Sequence, residues 1–128
     1  MKPRILLVDD DAQFASMVRR LLVRNGFHVL NATDGSEVPS ILSATRVDGI
    51  VLDLQMPGMN GWEVIRTIRD RLNDHQLAGG VRPKIVVLSG RDEPETEAFV
   101  ARLGADAYLT KPLGSREIVQ TLREVLAQ

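Results

Sequence analysis

The chain has 128 residues, 44 % of them apolar, and a formal net charge of −1. That is enough for one domain with a real core, residues 1–128 taken together, and the near-neutral balance argues against a nucleic-acid or membrane binder, which carries a basic excess. The absence of cysteine excludes disulfides and thiolate metal centres, and no apolar run approaches the ~20 residues that span a bilayer.

Met1-Lys2-Pro3 leads straight into the first strand, so a cytoplasmic chain without a leader is expected. Arg4-Ile5-Leu6-Leu7-Val8 reads as that strand and ends in Asp9-Asp10-Asp11. Phe14, Met17, Val18, Leu21 and Leu22 then follow helical spacing. Asn25-Gly26 stops the helix, glycine being free to take the left-handed turn. Val29-Leu30 is a short strand, and Val38, Ile41 and Leu42 mark a short helix. Gly49 to Leu52 is an apolar run, a strand buried on both faces, ending in Asp53. A helix from about Gly61 buries Val64, Ile65, Ile68 and Leu72, with Trp62 packing at its start. The long polar connection from Asn73 to Lys84 is expected to be mobile and without chemistry. Ile85 to Leu88 is the fourth buried run. Glu95 to Leu103 is helical, with Phe99, Val100 and Leu103 inward. Ala107-Tyr108-Leu109 is a fifth strand, and Ile118, Val119, Leu122, Val125 and Leu126 define a closing helix.

Strand and helix alternate five times. Uniformly apolar strands separated by helices mean an α/β fold with a doubly wound parallel sheet. Right-handed crossovers favour strand order 2-1-3-4-5. In that order strands one and three are neighbours, and Asp9, Asp10 and Asp53 meet at the carboxyl edge. Three carboxylates in one cleft repel each other, and a hard dication relieves this. All-oxygen ligation suits magnesium, with manganese as the substitute. One aspartate is expected to cap the following helix instead, and Asp11 is the choice. The fourth strand ends in Ser89-Gly90, a hydroxyl beside an approachable backbone N–H, and the fifth runs into Lys111. Dication, ammonium, hydroxyl and backbone donor together suit a phosphoryl group, with an aspartate beside the metal as its acceptor.

These pieces, Val8-Asp9-Asp10, Asp53 with Met56-Pro57-Gly58-Met59-Asn60-Gly61, Ser89-Gly90, Tyr108 and Lys111-Pro112, lie in order at predicted strand ends. The chain thereby resembles the receiver domains of two-component response regulators, chemotaxis receivers among them, over essentially its whole length. The resemblance implies a flavodoxin-like (βα)5 fold and Asp53 as phosphoacceptor. Asp10 and Asp53 would bind magnesium directly, Asp9 through water, and Gln55 through its backbone carbonyl. Lys111 would pair with Asp53 and then with its phosphoryl group, Ser89 would hydrogen-bond a phosphoryl oxygen, and a cis peptide would join Lys111 to Pro112. Tyr108 would turn inward as Ser89 moves, reshaping the surface of the fourth helix, fifth strand and fifth helix. The implied partners are a sensor histidine kinase or phosphotransfer protein and an output protein or domain. The chain itself would be a monomer or weak dimer that binds neither nucleic acid nor membrane. In winged-helix regulators paired aspartates precede the tyrosine and an arginine lies in the last helix. Here Asp106 is followed by Ala107, and Thr121 stands at the arginine position.

Two other readings compete. Asp9-Asp10-Asp11 contains the Asp-x-Asp of a haloacid-dehalogenase-like phosphatase, but that family needs a further acidic pair after its lysine, and only Glu117 and Glu124 follow. A pseudo-receiver that merely binds partners would lack part of the acid, hydroxyl and lysine set, all of which is present.

Overall fold

The computed structural model describes residues 2–54, 61–90, 94–111, 114 and 116–128. Five strands and five helices alternate: β1 (Arg4–Val8), α1 (Ala12–Arg24), β2 (His28–Ala32), α2 (Val38–Ala44), β3 (Gly49–Asp53), α3 (Gly61–Arg66), β4 (Lys84–Ser89), α4 (Pro94–Leu103), β5 (Ala107–Thr110) and α5 (Glu117–Leu126). The strands form one sheet in the order β2-β1-β3-β4-β5, every neighbouring pair parallel. The expected flavodoxin-like topology is therefore the observed one.

Strand side chains alternate between faces, and the core divides accordingly. Leu6, Val8, Ile50, Leu52, Ile85 and Val87 pack with Val38, Val64, Ile65 and Val100 from α2, α3 and α4. Ile5, Leu7, Val51, Val86 and Leu88 pack with Val18 and Leu22 of α1 and Ile118 and Leu122 of α5. The three central strands, β1, β3 and β4, are thus buried on both sides, which is why their sequences are apolar without alternation, whereas the edge strand β2 exposes His28 and Asn31.

Helix ends follow their local chemistry. Asp11 caps α1 as expected, its carboxylate accepting from the N–H groups of Gln13 and Phe14. Gly26 ends the helix region with φ of 90°. α3 stops at Arg66, and a π-type turn, Thr67–Arg71, follows. Its closing bond runs from Leu72 N–H to the Thr67 carbonyl at 2.9 Å, which keeps Ile68 buried and Leu72 against the core.

Three expectations need correction. Met17 follows the helical spacing but is 52 % exposed, because Ala15, Val18 and Leu22 take the inward stripe of α1. Phe99 is 38 % exposed. It covers Trp62 edge-on, ring centroids 4.9 Å apart, and only Val100 beside it is fully buried. The connection before β4 is tied down: two short turns, Asp74–Gln76 and Ala78–Gly80, flank a buried Leu77. Arg82 there donates to the carbonyls of Ile68 and Leu72. Arg82 is thus engaged with the π-type turn and the residue after it, which hydropathy cannot distinguish from solvation.

Among the described residues, no helix is long and apolar enough to cross a membrane.

Candidate functional site

The carboxyl edge of the sheet collects the singled-out residues. Asp9 directly follows β1, and its N–H extends the ladder to Ala32 at 3.0 Å. Asp53 is the last residue of β3, opposite Leu88. Ser89 ends β4, opposite Thr110, and exposed Gly90 follows it. The Lys111 N–H donates to the Ser89 carbonyl at 2.7 Å, so β5 delivers its lysine to the same edge.

One carboxylate oxygen from each of Asp9, Asp10 and Asp53 lies within 4.8 Å of the others. Asp9 and Asp53 are buried, 2 % and 4 % exposed, while Asp10 faces solvent. Such convergence is costly for anions unless a cation shares it. Lys111 supplies one charge, its Nζ 3.1 Å from Asp53 Oδ2. Asp9 carries the remaining tension. Its Oδ1 accepts from Asp11 N–H at 2.9 Å, but its buried Oδ2 has no hydrogen-bond partner. Burial pushes its carboxyl up to about 6, the Asp11 N–H opposes this, and the neighbouring Asp53 charge adds to the rise. An orphaned buried carboxylate oxygen beside two more carboxylates is the donor set a hard, oxygen-seeking dication requires.

Alternation along the strands sorts the remaining residues. Asp53 continues the Val51 side of β3, toward α1 and α5. Ser89 continues the Ile85 and Val87 side of β4, toward α3 and α4, and Tyr108 packs half-buried against that same side. Gln55 and Pro112, and with Pro112 the expected cis bond, lie outside the described residues. Gly61 closes the edge from below: a Cβ there would stand 2.8 Å from the Leu54 Cα.

Two features escaped the sequence reading. Phe14, counted as a helix-face residue, puts its ring 4.3 Å from the Lys111 Nζ. Arg69 donates to the Gly104 carbonyl at 2.9 Å and pairs with Asp106 at 2.8 Å. Asp106 also accepts from Ile85 N–H at 2.8 Å, so it is engaged within this chain. No local motif announces either contact, since the partners are separated by nearly a hundred residues in one case and by 37 in the other.

The family model of the response regulator receiver domain matches residues 5–123. The response regulator MprA of Mycolicibacterium vanbaalenii is 36 % identical over 126 residues, covering 98 % of this chain and 51 % of that protein. The aerobic respiration control protein ArcA of Escherichia coli is 30 % identical over 126 residues, covering 98 % and 49 %. Among solved structures, the chemotaxis response regulator CheY4 of Vibrio cholerae superposes with a TM-score of 0.84 at 29 % identity, covering 98 % of this chain and 99 % of that one. The chain belongs to the response regulator receiver family. It spans about half the length of the curated relatives it matches. Family membership decides against the phosphatase alternative.

Proposed function

We propose that residues 1–128 act as a single phosphorylation-switched receiver whose acceptor is Asp53. The observation that carries this is the buried Asp53 carboxylate, held 3.1 Å from the Lys111 ammonium within a cluster of three aspartates. In the transfer step an Asp53 oxygen attacks the phosphorus of a phosphohistidine on a sensor kinase or phosphotransfer protein. The P–N bond breaks, its electron pair returns to the imidazole, and an acyl phosphate forms. Lys111 holds its positive charge beside the arriving phosphoryl oxygens, and the Ser89 hydroxyl and Gly90 N–H are positioned at the strand end to donate to others. Asp9, Asp10 and Asp53, with the Gln55 carbonyl, would hold magnesium, or manganese in its place. The bound ion supplies charge neutralisation for the donor phosphate and the crowded carboxylates.

The acyl phosphate adds roughly −1.5 to −2 charges at neutral pH, by analogy with phosphoesters. Ser89 and Lys111 are drawn toward it, and Tyr108, on the Ser89 side of the sheet, follows into the space released. The α4-β5-α5 surface then addresses an output protein or domain. This is signalling chemistry in the cytoplasm, with self-transfer and self-hydrolysis as its only reactions. The test is intact mass after incubation with acetyl phosphate and magnesium. One phosphoryl group on the wild type and none on Asp53→Asn is the expected result. Equal labelling of both rejects Asp53, and no labelling of either favours the pseudo-receiver.

A further inference from the structure

Among the described residues, the Lys111 ammonium has two neighbours of opposite character. On one side is Asp53 Oδ2, at 3.1 Å. On the other is the Phe14 ring, its centroid 4.3 Å from Nζ. That distance is well inside the range in which a cation is attracted to the negative face of an aromatic ring, about 6 Å.

The ring is not loosely placed. Phe14 lies in the first turn of α1, and its N–H donates to the capping carboxylate of Asp11 at 3.1 Å. The Asp11 N–H in turn donates to Asp9 Oδ1 at 2.9 Å. The hydrogen bonds that start α1 therefore fix the backbone that carries the ring relative to the acid cluster. Strand alternation brings the other half of the contact: Asp53 continues the side of Val51 and Lys111 that of Leu109, both of which pack with α1 and α5.

Lys111 needs such a neighbour. Its side chain is 25 % exposed, and a four-carbon stem loses more rotamer freedom on ordering than most side chains do. A carboxylate in the ring's place would hold the ammonium but compete for its charge. A ring face attracts the ammonium and leaves its N–H donors directed at Asp53. Cation–π attraction is also tolerant of small displacements, so the ammonium can follow as negative charge grows on Asp53.

The geometry points to Phe14 as a positioning residue that seats the Lys111 ammonium at Asp53 through its ring face, and so sets how fast Asp53 takes up phosphate. This rests on the phosphoacceptor reading of Asp53 and assigns to α1 a part in it.

The test replaces Phe14 in the full chain by mono-, di- and trifluorophenylalanine, which drain the ring face while nearly keeping its shape. Phosphorylation by acetyl phosphate with magnesium is timed by intact mass. The rate should fall with each fluorine, reaching about tenfold below wild type, and the series should be flat in a Lys111→Met background. A second readout needs neither metal nor phosphodonor. Ring current should displace the Lys111 Hε resonances upfield in the wild type and in Phe14→Trp, and this displacement should vanish in Phe14→Leu. A flat fluorination series in protein that does label on Asp53, or Hε resonances at their ordinary position in the wild type, overturns the inference. A wild type that takes no label sinks the phosphoacceptor reading instead, and the ring-current shift still decides whether Phe14 seats the ammonium.

Discussion

Asp9→Asn removes a buried charge that hydrogen bonding satisfies at one carboxylate oxygen alone. The aspartate Oδ1 accepts from Asp11 N–H, and an asparagine carbonyl can do the same. What changes is the group with the orphaned Oδ2. In the folded chain the carboxyl is raised from 3.8 to about 6, first by burial. Below the lower value both folded and unfolded chains hold the proton, and Asp9 contributes no pH dependence. Between the two the folded chain keeps a proton that the unfolded chain has released, so stability falls as pH rises. Once the folded carboxyl is ionised, the accumulated loss is about 3 kcal/mol. Urea unfolding of wild type and Asp9→Asn, followed by Trp62 fluorescence in chelator from about pH 4 to about pH 8, isolates this contribution because the other titrating groups are shared. The stability of the variant relative to wild type should improve by about 2.5 kcal/mol across that window, the rest of the loss falling below pH 4. Added magnesium should restore the wild type at the upper end and the variant much less. A difference between the two proteins that stays constant from pH 4 to 8 would refute the reasoning.

Lys111→Ala should slow labelling of Asp53 by acetyl phosphate by about a hundredfold, the usual effect of losing one donor to developing charge; an unchanged rate by intact mass would remove Lys111 from the transfer. Asp106→Ala strips a partner from both Arg69 and Ile85 N–H and should cost about 3 kcal/mol in urea unfolding. Arg46→Ala, which breaks the exposed 3.6 Å pair with Asp48, should stay within about 0.5 kcal/mol by the same assay. Gly61→Ala must displace the Leu54 backbone, 2.8 Å from the new Cβ, and should destabilise by about 2 kcal/mol; a silent substitution would mean the edge is looser than described.

The fold was legible because burial on both faces leaves a plain trace: Ile5 to Val8, Ile50 to Leu52 and Ile85 to Leu88 are apolar throughout and are all fully buried. The edge was legible for the complementary reason. A charge or a hydroxyl is best tolerated where such a strand ends, so Asp9, Asp53, Ser89 and Lys111 marked their own positions. Helix faces were read less well. Spacing alone could not tell Met17, left outside, from Ala15, which is small enough to lie against the sheet. Phe99 looked like core but pairs with Trp62 at the margin. Contacts between distant polar or aromatic groups left no trace at all. Arg69 finds Asp106, and Phe14 finds Lys111, only because the π-type turn after α3 meets the α4–β5 turn and α1 flanks the residue after β5.

The most direct trial of the account is a crystal structure of the chain with magnesium and beryllofluoride. It should place the metal against Asp9, Asp10 and Asp53, with beryllium joined to an Asp53 oxygen and the fluorines facing Ser89 and Lys111. A metal bound elsewhere, or an Asp53 carboxylate left unmodified beside Lys111, would contradict it.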